Sequence, residues 1–189
     1  MLVGFIGRMG QGKTLSMTVF GTYLAYKSGA RLKARHQINA LNAELVTKVS
    51  QVWDTDNAIF LWDELWIDMD SRDYQNNIDL TQFINQSRKK NAFVGYTAQH
   101  NSQVEKRVRK ATDYLIHCEK IVKKEKDGTK NTSHKLIIVD PFNGKILRQI
   151  IIRRPETFYK LYNTYEVIQP LKNDMKKEYQ EPRWKKKQY

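Results

Sequence analysis

The sequence predicts an α/β fold, a three-layer sandwich of helices on a mostly parallel central sheet. Short apolar runs of strand length recur along residues 1–122, and segments with helical spacing lie between them. A glycine-rich turn separates the first run from the first helical segment. With 189 residues, the chain is long enough for one such domain and too short for two independent catalytic domains.

The predicted elements follow one another in alternating order. The first strand lies in 1–6 and the first helix in 13–29, where Ser28-Gly29 provides a C-terminal cap. Helical spacing and C-terminal cations predict another helix in 76–91. The remaining segments are predicted as a strand around 30–38, a helix in 42–53, and strands in 58–62, 92–99 and 114–122.

The C-terminal part of the chain has a different pattern. Two apolar runs in 134–153 flank a turn at 141–144, which predicts a β-hairpin appended to a core of 1–122. A charged, turn-rich link at 123–135 leads into it. The predicted domain spans 1–171. It consists of the core and of residues 134–171, which contain the hairpin and a return segment. Residues 172–189 are cationic without apolar periodicity, so we expect a basic tail that is mobile when unbound.

Composition limits the class of protein. The 33 Lys and Arg residues outnumber the 20 Asp and Glu residues, and the net charge of +13 implies a polyanionic partner, either nucleic acid or an anionic membrane. A generally basic surface is the alternative. The single cysteine, Cys118, excludes an internal disulfide and a multi-cysteine zinc site. No apolar run approaches the roughly 18 residues of a spanning helix, so we expect a soluble, cytoplasmic protein without a membrane span.

Residues 7–14, GRMGQGKT, match the pattern G-x-x-x-x-G-K-[ST] between the first predicted strand and helix, and we call them the phosphate loop. Glycines in this pattern let backbone N–H groups face phosphate oxygens, the lysine reaches the terminal phosphates, and the hydroxyl ligates Mg²⁺. The amino end of the helix adds positive charge. The predicted nucleotide-binding residues are Gly7, Gly10, Gln11, Gly12, Lys13, Thr14 and Leu15, with Thr14 also a Mg²⁺ ligand.

Polar side chains follow the second and third apolar runs. IFLW is followed by Asp63 and Glu64, so Asp63 is predicted to face Mg²⁺ and Glu64 to polarise the water that attacks the γ-phosphate. A helix cap is the simpler interpretation of such a pair. Gln99 ends the third run and could hold that water or sense the γ-phosphate, although a surface glutamine is the default without the other motifs.

Residues around this acidic pair have simpler interpretations. Trp62 and Trp66 flank the pair and are expected in the core, because aromatic side chains pack there more often than they stack on ligands; contact with DNA or another subunit is the alternative. Asp68, Asp70 and Asp73 lack the spacing and the glycine of a calcium loop, which favours a solvated acidic segment.

Two arginines are candidates for a catalytic finger, which neutralises the charge that develops on the γ-phosphate. Arg88 lies just before the third strand and is the first choice, and Arg107 lies after it and is the second. In ring ATPases such an arginine usually comes from the adjacent subunit.

Together these motifs resemble the FtsK/HerA superfamily of P-loop ATPases, and within it the Zot-like (zonular occludens toxin-like) proteins and viral packaging ATPases. The resemblance covers roughly residues 1–170 and depends on GRMGQGKT, on FLWDELW at 60–66, on SRKKNAFVGYTAQ at 87–99 and on FYKLYNTYEVIQP at 158–170. It implies a RecA/FtsK-like P-loop NTPase fold and a homo-oligomeric, hexameric or other ring-forming motor that hydrolyses ATP with Mg²⁺ and moves double-stranded DNA.

The resemblance assigns Lys13 and Thr14 to the phosphate site, Asp63 and Glu64 to the Walker B pair, Gln99 to the sensor, and Arg88 to a finger supplied in trans. Membrane-bound Zot-like proteins of filamentous phages carry a spanning helix and cellular members carry large extra domains, and this chain shows neither. We therefore expect a motor that packages a viral genome, with capsid or portal proteins as further partners.

Phosphate contacts from cations are expected to hold the DNA without reading its sequence, because no base-reading module is visible. Further cations lie in the link 123–130 and at 185–187, where the tail could instead bind a capsid or a membrane. The main candidates are Lys89, Lys90, Lys106, Arg109 and Lys110.

Two other functions stay open from the sequence. One is a nucleotide-gated assembly or export protein of Zot type that binds DNA or capsid without processive motion. The other is a small-molecule P-loop kinase, which predicts an arginine-rich lid and an acceptor pocket that the sequence does not identify.

Overall fold

The computed structural model describes residues 1–40, 42–54, 56–69, 77–125, 128–163, 166–172 and 174. Its strands and helices alternate through the first two thirds of the chain. The strands are β1 (Leu2–Ile6), β2 (Arg31–Ala34), β3 (Ala43–Leu45), β4 (Ala58–Trp62), β5 (Phe93–Ala98), β6 (Tyr114–Lys124), β7 (Lys130–Val139) and β8 (Ile146–Arg153). The helices are α1 (Lys13–Ser28), α2 (Val49–Trp53), α3 (Leu65–Asp68), α4 (Asn77–Gln86) and α5 (Lys106–Ala111), with 3₁₀ turns at Asn101–Gln103 and Pro155–Leu161.

All eight strands form one sheet in the order β3-β2-β4-β5-β1-β6-β7-β8. The six strands from β3 to β6 are parallel, and β7 and β8 are antiparallel to their neighbours. The carboxyl ends of the parallel strands therefore meet at one edge of the sheet, which we call the carboxyl edge, and their starts meet at the amino edge. The predicted α/β class and mostly parallel sheet are confirmed.

The sheet is covered on both faces, which gives three layers. One face packs Phe5, Leu61 and neighbouring apolar side chains against α1, mainly through Met17. The other face packs against α2, α4 and α5, and Phe83 and Val108 are fully buried there. Every residue of β1, β4 and β5 is buried, which explains why these strands are continuous apolar runs in the sequence.

The helix predicted in 42–53 is wrong for its first half. Residues 43–45 form β3, which pairs in parallel with β2, and only 49–53 are helical. The side chain of Gln51 accepts hydrogen bonds from the backbone N–H groups of Thr47 (2.9 Å) and Lys48 (3.0 Å) and so fixes the start of the helix at Val49. Pairing with the open edge of β2 outweighs the local helical pattern of the preceding residues.

The predicted C-terminal hairpin is present as β7 and β8, but it continues the central sheet instead of standing apart from it. β7 pairs over its whole length with residues 115–124 of β6, so the predicted link 123–135 is mostly strand. β1 pairs with β6 only as far as His117, and β6 runs on to Lys124. Residues 119–125 and 128–134 therefore extend beyond the carboxyl edge, and we call them the projecting hairpin. The domain limits at 122 and 171 stay predictions.

Asp68 is not solvated, contrary to expectation, but is the centre of a buried ion pair. Its side chain is 0% exposed and binds Arg35, whose Nε lies 2.8 Å from Asp68 Oδ2. The Trp62 indole N–H also donates to Oδ2 (2.7 Å), and the backbone N–H of Leu171 donates to Oδ1 (2.7 Å). The guanidinium of Arg35 also donates to the carbonyl of Gln169. The pair therefore binds residues 166–172, which we call the C-terminal segment, to the sheet. Asp70 and Asp73 lie outside the described residues.

His36, just after β2, is expected to make the folding free energy depend on pH. The ring is 2% exposed, its Nε2 lies 2.9 Å from Thr18 Oγ1, and burial lowers its pKa from 6.5 to about 4. The unfolded chain therefore binds a proton that the folded chain excludes as pH falls from 6.5 towards about 4. Above this window, His36 adds no penalty; below it, we expect a loss of about 3 kcal/mol of folding free energy.

The measurement is urea unfolding at a series of pH values for the natural chain and for His36→Gln, which cannot titrate. We expect the variant to lose less stability across this window. Parallel pH profiles for the two proteins would contradict the assignment.

Within the described part of the chain, no helix is both long enough and apolar enough to cross a membrane.

Candidate active site

The phosphate loop connects β1 to α1 at the carboxyl edge. Gly10 and Gly12 have φ angles of +76° and +81°, a region that favours glycine, and α1 starts directly afterwards at Lys13. Lys13 is 6% exposed and its Nζ donates to the carbonyl of Arg8 (3.3 Å). The positive end of a 16-residue helix and a buried cation thus lie at the same place.

Asp63 lies at the end of β4 beside this loop, as its place in the sequence predicts. Its Oδ1 accepts hydrogen bonds from the hydroxyls of Thr14 (2.9 Å) and Thr97 (2.6 Å). Burial raises the pKa of the Asp63 carboxyl, while these hydrogen bonds and the charge of Lys13 act in the opposite direction. The structure therefore places the carboxylate of Asp63 in direct contact with the hydroxyls of Thr14 on α1 and Thr97 on β5.

Glu64 directly follows Asp63 in an unusual backbone conformation. Its φ of +50° lies in the left-handed region, which is uncommon for residues other than glycine and is associated with functional sites. Its backbone N–H donates to Thr97 Oγ1 (2.8 Å), and its carboxylate accepts a hydrogen bond from the indole N–H of Trp66. Of the two tryptophans expected in the core, Trp62 is fully buried, but Trp66 is 41% exposed because α3 turns Leu65 inward instead.

A cavity of about 740 Å³ contains the phosphate loop and the acidic pair. One wall consists of Lys120 and His134 from the projecting hairpin, and another comes from the C-terminal segment. The residues that line it are Met9, Gly10, Gly12, Lys13, Thr14, Leu15, Asp63, Glu64, Ile67, Lys120, His134, Tyr159, Tyr162, Glu166, Val167 and Ile168. A cavity of equal volume lies at the amino edge, where it contains Met1 and Asn57 and lacks the phosphate loop. Volume alone therefore does not identify the active site.

Gln99 lies one residue beyond β5, and β5 lies between β4 and β1. Its neighbour Ala98 accepts a hydrogen bond from the backbone N–H of Gly7 (3.4 Å). Gln99 is partly buried and does not line the cavity, whereas Thr97 binds Asp63 directly. Sequence reasoning missed Thr97; the signal was a hydroxyl two residues before Gln99, and therefore on the same face of the strand.

The two arginine candidates lie in different places. Arg88 is at the amino edge, where its guanidinium pairs with Asp113 and is 75% exposed, so it is far from the phosphate loop of its own chain. Arg107 is in the first turn of α5, and its Nε lies 2.9 Å from Glu105 Oε1. The same Glu105 carboxylate caps α5. Neither arginine lines the cavity of its own subunit.

The DNA-binding candidates form two groups. Lys89 and Lys90 are at the amino edge, where Lys90 Nζ lies 3.0 Å from Asp56 Oδ1. The second group is on α5, where an adjoining surface cavity of about 370 Å³ also contains Phe142, a side chain that is 79% exposed. This α5 group consists of Lys106, Arg109 and Lys110, all exposed.

Arg8 and Gln11 occupy variable positions of the loop pattern, and the structure gives each a partner. The carbonyl of Arg8 accepts from Lys13 Nζ and from the backbone N–H of Gln11 (3.3 Å). The side chain of Gln11 accepts a hydrogen bond from the backbone N–H of Lys120 on β6 (2.6 Å). Gln11 therefore connects the phosphate loop to the neighbouring strand.

Gly12→Ala is expected to destabilise the protein more than Gly10→Ala. Both positions have positive φ angles, but a Cβ on Gly12 would lie 2.4 Å from Nδ1 of the buried His134, whereas nothing lies within 4 Å of a Cβ on Gly10. We expect about 1–3 kcal/mol from the backbone in each variant and a further loss in Gly12→Ala alone. Denaturant unfolding without nucleotide measures the difference, and equal losses would show that His134 does not crowd Gly12.

Comparisons with known proteins define the fold. No family model and no curated protein matches the chain. Among solved structures, the N-terminal domain of zonular occludens toxin from Neisseria meningitidis superposes with a TM-score of 0.58 at 15% identity, covering 86% of this chain and 98% of that one. The genome packaging NTPase B204 of Sulfolobus turreted icosahedral virus 2, in complex with AMPPCP, gives 0.56 at 8% identity over 80% and 96%.

A third similar structure is the flagellar accessory protein FlaH from Methanocaldococcus jannaschii, with a TM-score of 0.52 at 13% identity over 80% and 84% of the two chains. The identities are too low to transfer an activity, but the shared architecture extends over most of each chain. The predicted resemblance to Zot-like and viral packaging ATPases is thus confirmed at the level of the fold. The chain has the fold of P-loop ATPases.

Proposed function

We propose that the protein is an ATP hydrolase that moves double-stranded DNA and packages a viral genome into a capsid. The observation that carries the proposal is the contact of Asp63 with Thr14 at the carboxyl edge, with Lys13 and Glu64 in the same cavity. A phosphate-binding loop alone would suit any nucleotide-binding protein. A carboxylate next to that loop, able to accept the proton of an attacking water, favours hydrolysis over nucleotide binding alone.

The residues at this edge fit Mg²⁺, which prefers oxygen ligands. Thr14 Oγ1 and Asp63 Oδ1 are 2.9 Å apart, and the carboxylate is buried. These two groups would hold the ion, which neutralises charge on the phosphates when it is bound. The buried Lys13 ammonium and the loop N–H groups would bind the terminal phosphates, and this binding orients the γ-phosphate for attack.

Glu64 would act as the general base of the hydrolysis. Glu64 lines the cavity, and its carboxylate would accept the proton of the attacking water. The Trp66 indole N–H and the backbone bond to Thr97 orient Glu64 next to Asp63. Gln99 would hold the water or sense the γ-phosphate from the end of β5, between the two other strands of the site.

Charge supports DNA as the polyanion. The net charge is +13, and the α5 group presents three exposed cations beside the exposed Phe142 ring. Cations that contact phosphates give affinity without sequence preference. The similar NTPase B204 is a genome packaging protein. This similarity supports our proposal that the substrate is a double-stranded DNA genome. Capsid or portal proteins would be further partners.

A ring of identical subunits, hexameric as the resemblance implies, is part of the proposal because Arg88 lies at the amino edge, away from the site of its own chain. Arg88, or secondarily Arg107, would reach the γ-phosphate of an adjacent subunit. Mixing Arg88→Ala subunits with Lys13→Ala subunits tests this point. Each variant alone should be inactive, and mixed rings should recover part of the ATPase activity through interfaces that pair an intact arginine with an intact loop. No recovery would remove Arg88 from this role.

The experiment that tests the function is the steady-state ATPase rate with and without double-stranded DNA. We expect DNA to stimulate the natural chain and the stimulation to decline steeply with salt. A rate that is indifferent to DNA would contradict the motor and favour the nucleotide-gated assembly protein. Transfer of the γ-phosphate to a small acceptor instead of water would favour the kinase.

A further inference from the structure

We propose that Lys120 is a second phosphate-binding cation of the nucleotide site, supplied by the projecting hairpin and not by the phosphate loop. The inference rests on the nucleotide-binding part of the proposed function and does not depend on DNA. Lys120 lines the cavity together with Lys13 and Thr14. No residue of the loop motif indicates it, because the two segments are more than 100 positions apart in the sequence.

The backbone register fixes which face of the hairpin carries Lys120. Lys120 on β6 lies opposite His134 on β7, and Cys118 lies opposite Leu136 two positions further along. Alternate residues of a strand share a face, and Cys118 and Leu136 are buried in the core on the α1 side. The side chains of Lys120 and His134 therefore lie on the face that covers the phosphate loop, and Lys123 lies on the opposite face.

Hydrogen bonds hold this part of the hairpin against the loop. The backbone N–H of Lys120 donates to Gln11 Oε1 (2.6 Å), and His134 Nδ1 lies 3.1 Å from the carbonyl oxygen of Gln11. His134 is 3% exposed and fills the space in which a side chain at Gly12 would lie. His134 is thus a positioning residue that sets the distance between the loop and β6, and Gln11 fixes the backbone from which the Lys120 side chain extends.

The carboxylates of Asp63 and Glu64, which also line the cavity, bind other side chains and leave Lys120 available to an anion. Among the residues that the structure describes, no carboxylate forms an ion pair with Lys120. Burial lowers the pKa of His134 and so favours its neutral ring, and among the described residues the cations that line the cavity are Lys120 and Lys13. Glu166, which also lines the cavity, accepts a hydrogen bond from the backbone N–H of Gln37 (2.7 Å). A polyphosphate is the ligand that two lysines lining one cavity at a helix amino end suit best.

The test compares Lys120→Met with Lys123→Met, a matched loss of one charge on the opposite face of the same strand. The affinity for ATP is measured directly without DNA, and inorganic pyrophosphate is used as a competitor. For Lys120→Met we expect affinity for both ligands to fall by about fivefold to twentyfold and to depend less on salt. Lys123→Met should stay within about twofold of the natural chain, and Lys120→Arg within about threefold.

Two outcomes would overturn the inference. One is equal ATP affinity of Lys120→Met and Lys123→Met. The other is a loss for ATP without a loss for pyrophosphate, which would place Lys120 at the base or the ribose. Thermal unfolding of each variant without nucleotide confirms that it folds. Because DNA is absent, a failure of the DNA-translocase proposal would leave these results unchanged, and the two proposals can fail separately.

Discussion

Glu64→Gln is expected to lower the kcat of ATP hydrolysis by about a hundredfold to ten-thousandfold, because the amide cannot accept the proton of the attacking water. The side chain keeps its size and can still accept the hydrogen bond from Trp66, so the local structure is retained. ATP affinity should change little, since the proposed phosphate ligands are Lys13, Lys120 and the loop and not Glu64. Single-turnover kinetics and equilibrium binding of ATP measure the two effects separately.

The matched control is Glu119→Gln, which removes an exposed carboxylate from the projecting hairpin on the face opposite to Lys120. Its kcat should equal that of the natural chain. If Glu64→Gln hydrolyses ATP at the natural rate, Glu64 is not the general base of the site.

Asp68→Asn is expected to reduce the free energy of unfolding by about 3–5 kcal/mol, because it leaves the buried guanidinium of Arg35 without its counter-ion. Both side chains are almost wholly inaccessible, at 3% and 0% exposure. The same carboxylate holds the backbone N–H of Leu171, so the C-terminal segment should also detach from the sheet. Denaturant unfolding measures the first effect, and limited proteolysis of residues 166–172 measures the second.

Asp56→Asn is the control for Asp68→Asn, since it removes an acid that is 61% exposed and pairs with Lys90 at the surface. Surface ion pairs contribute little, so this variant should unfold close to the natural chain. A similar small effect for Asp68→Asn would show that the buried pair does not hold the C-terminal segment.

The sequence allowed the central fold and part of the site to be predicted because these features are local. A strand, a glycine-rich turn and a helix are contiguous in residues 2–28, and Asp63 directly follows a fully buried strand. In a parallel sheet the carboxyl ends of strands share one edge, so this position alone predicts that Asp63 meets the loop. The contact with Thr14 fits that prediction.

The features that could not be predicted depend on contacts between distant parts of the chain. Asp68 is buried because Arg35 and Leu171, separated by 136 positions (171 minus 35), meet at its carboxylate. The same holds for the pairing of β3 with β2, which overrides a local helical pattern. The bond from Lys120 to Gln11 spans 109 positions. Composition and spacing carry no signal for such partners, and only the folded chain brings them together.

Translocation itself is tested most directly by displacement of a third strand from a DNA triplex on a long double-stranded substrate. The account predicts that the natural protein displaces the third strand in the presence of ATP and Mg²⁺, that Glu64→Gln does not, and that AMPPCP does not replace ATP. ATP hydrolysis that is stimulated by DNA but displaces no third strand would contradict a translocase and leave a nucleotide-gated DNA-binding protein.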